Sequence, residues 1–452
     1  AKKSTKTAED GIDQAITYAK LLDIPFAYAS AGEKFIEFNL KTGLQRELAM
    51  EDFPSPDKLW RMWCEARGVP IEREEAMADA QYFTSDDGKV PRYYQMVAIN
   101  RVVDAIVSER RRRALLVMAT GTGKTYTAFQ IVWRLKQAGL VNNVLYLADR
   151  NFLIDNPLKN DFAPFGKNAT KIQGGKITQA HSIFFGLYQQ LKGSEDGSTE
   201  KTFADNFRQV PPNFFDLVIV DECHRGSAKE ESSWREILEY FHSAIQIGLT
   251  ATPSSKEGAD NAEYFGKPLY TYSLKQGIED GFLAPFQVVR VYLDKDRDGW
   301  EPQDGEKDAN GILIEKRRYT VEDYDSRIIL EGRTKAVAEH VTKYLHHLGR
   351  MSKTIIFCKT QAHAARMRDA IRACNQDMVA QEPFYAVRMT GDDEDGRKLY
   401  DNFTSPYEPY PVVVTTSKLL TTGADTKCVK LIVLDTSIRS MTEFKQIIGR
   451  GT

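Results

Sequence analysis

At 452 residues the chain exceeds one ordinary domain, so two or three are expected. Hydrophobic residues make up 42% and charged residues 27%, enough to bury sizeable cores, and a net charge of −2 excludes a globally basic polyanion binder. Any contact with nucleic acid must therefore come from local basic patches. Five scattered cysteines (Cys64, Cys223, Cys358, Cys374 and Cys428) form no C-x-x-C pair. They argue against a disulfide framework or zinc site and for a reducing, cytoplasmic setting. No apolar run is long enough to span a membrane, and the first residues lack a signal-peptide core.

Along the chain, a basic start leads into an amphipathic helix at about Asp10 to Leu22. Residues 54–90, with Pro54, Pro56, Gly68 and Pro70, read as a connector holding short helices. A helix follows from Tyr94 to Arg113, its basic end Arg110 to Arg113 reading as a solvated helix terminus or, less simply, a DNA contact. Ala114 to Met118 form a buried strand, and from Thr125 the positions Ala128, Ile131, Val132 and Leu135 lie on one helix face, stopped by Gly139. Apolar strands recur at Val144–Ala148, Phe214–Val220 and Ile245–Leu249, alternating with helical patterns, as in a parallel sheet covered on both faces. Phe184, Phe185 and Tyr188 stand at helical spacing and read as core or, less simply, as a base-stacking surface. Gly193 to Asn206 reads as a surface loop, and Asp294 to Gly311 as a mobile segment. A second alternating region follows: a helix over Thr334–Leu348, a strand Thr354–Cys358, a helix Ala362–Asn375, and strands Val412–Thr415 and Leu431–Leu434.

Between the strand at 114–118 and its helix lies Met118-Ala119-Thr120-Gly121-Thr122-Gly123-Lys124-Thr125. A glycine-rich turn at a helix N-terminus lets backbone N–H groups close around phosphates, favoured by the helix dipole. Lys124 is placed to reach β- and γ-phosphates, and the Thr125 hydroxyl to hold Mg²⁺. The loop departs from G-x-x-x-x-G-K-[ST] only at its first position, where Met118 replaces glycine. Asp221-Glu222 follow an apolar strand, where ligands bind in open α/β sheets. Alone the pair fits a helix cap; beside the phosphate loop, Asp221 reads as the Mg²⁺ carboxylate and Glu222 as the group that polarises the attacking water. Thr250 and Thr252 in TATP could link the carboxylate site to a nucleic-acid face, or simply cap a helix. Arg450 suits an arginine that stabilises charge on a transferring phosphoryl group.

In order, Gln95, ATGTGKT, DECHR, TATP, TTGAD and QIIGRGT resemble the motif series of superfamily two helicases and translocases over residues 91 to 452. That resemblance implies two RecA-like parallel-sheet domains with ATP and Mg²⁺ as cofactors. Arg92 and Gln95 would recognise adenine, Thr120, Gly121, Thr122, Gly123, Lys124 and Thr125 would grip phosphates, and Gly423 and Asp425 would contact nucleotide and couple it to DNA. His224, Thr250, Thr252 and Gln446 would serve coupling. VLYLADRNFLIDN, FFDLVIVDECHRGS, YTYSLKQGIEDGFLAP and TEFKQIIGRGT resemble, more narrowly, the motor (R) subunit of type I restriction enzymes. In that family a PD-(D/E)xK nuclease domain precedes the motor. Here Lys2 would be the last residue of its E-A-K element, and Gln14 with Tyr18 its Q-x-x-x-Y pair.

The implied layout is the end of a nuclease-like domain over 1–38, a connector over 39–90, a first motor domain over 91–285, a linker over 286–330 and a second motor domain over 331–452. Both ends suggest a fragment of a longer protein. The implied function is ATP-driven translocation on double-stranded DNA alongside modification and specificity subunits, which supply site recognition, with no membrane partner. A DNA-repair or RNA helicase is the alternative motor reading, and an ATP-regulated nucleic-acid-binding assembly protein the alternative from another class.

Overall fold

In the computed structural model the described residues are 7–22, 24–68, 80–178, 180–192, 206–223, 228–251, 263–307, 313–325, 327–391, 396, 398–417, 428–438 and 440–451. Most of the loop expected at Gly193 to Asn206 lies outside them. Contacts divide the chain into two units, residues 1–117 with 123–271, and residues 118–122 with 272–452.

The first unit begins with helix α1 (Glu9–Leu21) on an antiparallel sheet of β1 (Phe26–Ser30), β2 (Lys34–Asn39) and β3 (Gln45–Ala49). Ala8, Ile12 and Ala19 pack against Ala27 and Ile36 in a small apolar core. Buried Glu37 is gripped by Arg46 at 2.6 Å and accepts the Tyr28 hydroxyl at 2.6 Å. Helix α2 (Pro56–Arg67) is capped by Ser55 and stopped by Gly68 in a left-handed conformation.

Helix α3 spans Tyr93–Val107 and strand β4 Arg113–Met118. The arginine run is therefore not a helix end, as expected, but the turn into a strand. There Arg112 donates to Ser243 O, and Arg113 stacks 4.0 Å over Tyr264 and donates to its carbonyl. Parallel pairing of Arg113 onward with the strand Ile245–Thr250 outcompetes continued helix.

Then come α4 (Lys124–Gln137), β5 (Val144–Ala148), α5 (Phe152–Lys159), β6 (Ala169–Lys171), β7 (Ile183–Leu187), α6 (Tyr188–Lys192), β8 (Leu217–Val220), α7 (Ala228–Tyr240), β9 (Ile245–Thr250) and β10 (Tyr270–Tyr272). The sheet order is β10-β4-β9-β8-β5-β7-β6, with every pairing from β4 to β6 parallel. Runs such as VLYLA and LVIV are buried at every position because helices cover both faces. Phe184, Phe185 and Tyr188 are core, as expected, but the two phenylalanines lie on β7 rather than on a helix.

The second unit carries α8 (Leu274–Glu279), α9 (Asp294–Asp298), α10 (Glu331–Leu348), β11 (Thr354–Cys358), α11 (Gln361–Cys374), α12 (Gln376–Gln381), β12 (Ala386–Arg388), α13 (Tyr400–Thr404), β13 (Val413–Thr416), β14 (Leu431–Asp435) and α14 (Met441–Ile448). Its four parallel strands run β12-β13-β11-β14. The start of the segment expected to be mobile is held: Asp296 on α9 takes both Nε and Nη2 of Arg333, at 2.8 and 3.1 Å. Arg333 also donates to Asp435 at 2.7 Å, and buried His363 stands 3.1 Å from the other oxygen of Asp435.

Candidate nucleotide-binding site

Strand β4 ends on Met118, fully buried where the motif has glycine, so the departure from the pattern lies in the strand and not in the turn. Gly121 (φ 82°) and Gly123 (φ 77°) adopt left-handed backbone, the conformation that glycine alone enters without strain. The Thr122 hydroxyl donates to Ala119 O at 2.6 Å, tying the turn to itself. A Cβ at position 123 would lie 2.5 Å from Gln95 Nε2, so the amide would have to shift, and the left-handed backbone there already favours glycine. The other end of the same amide accepts the Arg92 backbone N–H at 2.9 Å, capping α3. Buried Gln95 thus braces the phosphate loop, while Arg92 is exposed at the head of α3.

The carboxylates arrive on β8. Asp221 N donates to Leu147 O on β5, and Cys223 N to Leu249 O on β9, so the backbone changes partner strand at Glu222. It does so through a left-handed conformation, φ 50° at Glu222, which costs a non-glycine residue on the order of 1–2 kcal/mol. The result is a buried ion pair: Lys124 Nζ lies 3.6 Å from Glu222 Oε1, with both side chains about nine-tenths buried. Asp221 accepts the Glu222 backbone N–H at 2.9 Å and the Tyr146 hydroxyl at 2.7 Å. Its carboxyl is pushed up to about 6 by burial and by the neighbouring charge of Glu222, against the pull of Lys124 and these hydrogen bonds. Burial and the same two carboxylates raise the Cys223 thiol.

Tyr146, a central residue of β5, was not among the expected site residues. Its hydroxyl donates to Asp221, one of the two residues expected to hold Mg²⁺. The oxygen donors fit that cation, which takes few protein ligands and completes its shell with phosphate and water. Among the described residues there is no cluster of three or more His, Cys, Asp or Glu side chains able to hold a metal by itself. None of the five cysteines is in a disulfide.

Thr250 is buried at the end of β9, paired beside Val117 at the end of β4. Gln446 on α14 and Arg450 just beyond it are buried within the second unit. Lys2, His224, Thr252, Gly423 and Asp425 lie outside the described residues. Gln14 Nε2 donates to the Tyr18 hydroxyl at 2.6 Å on the exposed face of α1.

Residues 88–255 match the family described as the res subunit of type III restriction enzymes, and residues 336–452 the helicase conserved C-terminal domain. The chain is 48% identical to the EcoAI type I restriction endonuclease subunit of Escherichia coli over 100% of its own length and 55% of that protein's. It superposes on a fragment of an HsdR subunit of a type I restriction enzyme from Vibrio vulnificus with TM-score 0.78 and 38% identity, covering 99% of this chain and 76% of that one. The chain belongs to the endonuclease (HsdR) subunit family of type I restriction enzymes. It spans about half the length of its EcoAI relative. The type ISP enzyme LlaBIII, solved bound to DNA, shares the fold at TM-score 0.52 and 17% identity, over 80% of this chain and 27% of that one. Within the family, this stretch is mixed α/β with two RecA-like helicase domains. No helix among the described residues is long and apolar enough to cross a membrane.

Proposed function

We propose that this chain is the ATP-hydrolysing motor of a type I restriction endonuclease subunit and moves along double-stranded DNA. The observation that carries the reading is the convergence of Lys124, Glu222 and Asp221 beside a glycine turn at the carboxyl ends of parallel strands. Without nucleotide, Glu222 holds the Lys124 amine. Phosphate oxygens outbid one carboxylate for that cation, so Lys124 turns to the β- and γ-phosphates and Glu222 is released to orient and deprotonate the attacking water. Asp221 and Thr125 hold Mg²⁺, which when bound neutralises charge on the phosphates. Arg92 and Gln95 read the adenine, and Arg450 stabilises the charge that develops on the transferring phosphoryl group. Gln446, Thr250, Thr252, His224, Gly423 and Asp425 couple these events to DNA.

The motor domains occupy 91–285 and 331–452, joined by 286–330. Modification and specificity subunits are the protein partners, and the cytoplasm the setting. The DNA reading is supported by the family and by a fold neighbour solved on DNA. The test is displacement of a third strand from a DNA triplex. The motor is expected to release it with a lag that grows with distance and to leave the duplex paired. Release that ignores distance, or equal turnover on single-stranded RNA, would refute translocation on duplex DNA.

A further inference from the structure

We infer that Tyr146 is a positioning residue that pre-sets the Asp221 carboxylate as a Mg²⁺ ligand through its phenol hydroxyl. The inference rests on the nucleotide-site reading and adds to it a residue to which the sequence assigned no role. A tyrosine hydroxyl has a single proton, and Tyr146 commits it to Asp221 Oδ2 at 2.7 Å. Asp221 Oδ1 is thereby held on the Glu222 N–H and Oδ2 on the phenol, so neither carboxylate oxygen rotates freely.

The ring itself cannot swing. It is fully buried, stacked on Phe185 at 5.0 Å between centroids and 29° between planes, and met edge-on by Phe162 at 5.9 Å. A polar group in the middle of an apolar strand costs free energy unless partnered. Here the partner is the carboxylate expected to face the ion. Pre-organising it removes an ordering cost that would otherwise fall on cation binding.

The experiment is titration of Mg²⁺ against binding of a fluorescent ADP analogue, with Tyr146→Phe set beside the parent chain. Losing one hydrogen bond to a charged group should raise the Mg²⁺ half-saturation on the order of tenfold. Binding of the analogue in EDTA should stay within about twofold. In an Asp221→Asn background the added Tyr146→Phe change should have no further effect, because the carboxylate it holds is gone. An unchanged Mg²⁺ half-saturation in Tyr146→Phe, or a full additive effect in that background, overturns the inference. Should Tyr146→Phe not fold, Phe185→Leu loosens the ring while keeping the phenol. A raised half-saturation then supports the inference and an unchanged one overturns it. If the parent chain itself binds the analogue without regard to Mg²⁺, or Lys124→Ala binds as the parent does, the nucleotide-site reading is what has failed.

Discussion

Glu222→Gln should tighten nucleotide binding while stopping hydrolysis, and the structure sets the size of the effect. Lys124 and Glu222 are 3.6 Å apart in a pocket that leaves them 11% and 8% exposed. At an effective dielectric of about 20 the gross attraction is about 4.6 kcal/mol. Desolvation of two buried charges consumes much of that, leaving a net worth on the order of 1–2 kcal/mol. Nucleotide must break this pair to recruit the lysine, so its removal returns about that amount to binding, a gain of roughly 5- to 30-fold. Loss of a negative charge beside the phosphates acts in the same direction. The assay is calorimetric titration of a non-hydrolysable ATP analogue with Mg²⁺, parent against Glu222→Gln, alongside phosphate release. Affinity that is unchanged or weaker in Glu222→Gln would show that the pair does not guard the site, and retained hydrolysis would remove Glu222 from the chemistry.

Asp221 is raised in the folded chain, so the native state binds more protons than the unfolded one between its ordinary value of 3.8 and about 6. Stability without nucleotide should therefore fall as pH rises through that window. Asp221→Asn should raise the unfolding midpoint at pH 8 by more than at pH 4, and an equal shift at both contradicts this. Gly123→Ala meets a left-handed backbone and the Gln95 amide together, and should weaken nucleotide binding on the order of tenfold or more, since the roughly 1–2 kcal/mol backbone penalty alone corresponds to about 5- to 30-fold. Gly139→Ala, also left-handed but facing open space, should cost stability and leave nucleotide affinity unchanged. Arg333→Met strips the cation from Asp296 and Asp435 and should destabilise the second unit by about 3–5 kcal/mol, read as a lowered unfolding midpoint. Lys335→Met, at an exposed neighbour on the same helix, should leave the midpoint in place.

The site's frame could be read in the sequence because its signals are local and continuous. The phosphate loop announces itself by glycine, lysine and threonine between an apolar strand and a helix, and LVIV before Asp221 is a run that only a sheet buried on both faces needs. Three strands of the second unit, β11, β13 and β14, were visible for the same reason, while the short β12 was not. The sheet Phe26–Ala49 was not, because its strands mix Lys, Glu, Arg and Gln into half-exposed faces and carry no long apolar run. Phe184 and Phe185 were legible as core, but a helix and a strand bury adjacent aromatics equally well until pairing partners are known. Tyr146 left no signal: a tyrosine inside VLYLA reads as one more apolar residue, and its role depends on Asp221, distant in sequence. The Arg333 cluster has the same character, joining α9, α10 and the end of β14, with partners 37 and 102 residues away.

Steady-state ATP hydrolysis with and without linear duplex DNA, run on the parent chain and on Lys124→Ala, tests the central claim most directly. The account predicts that duplex DNA accelerates phosphate release by the parent, more so with longer duplexes and less so with added salt. Lys124→Ala should be inactive under every condition. A parent rate indifferent to duplex DNA, or Lys124→Ala hydrolysing at a rate close to the parent's, would contradict the account.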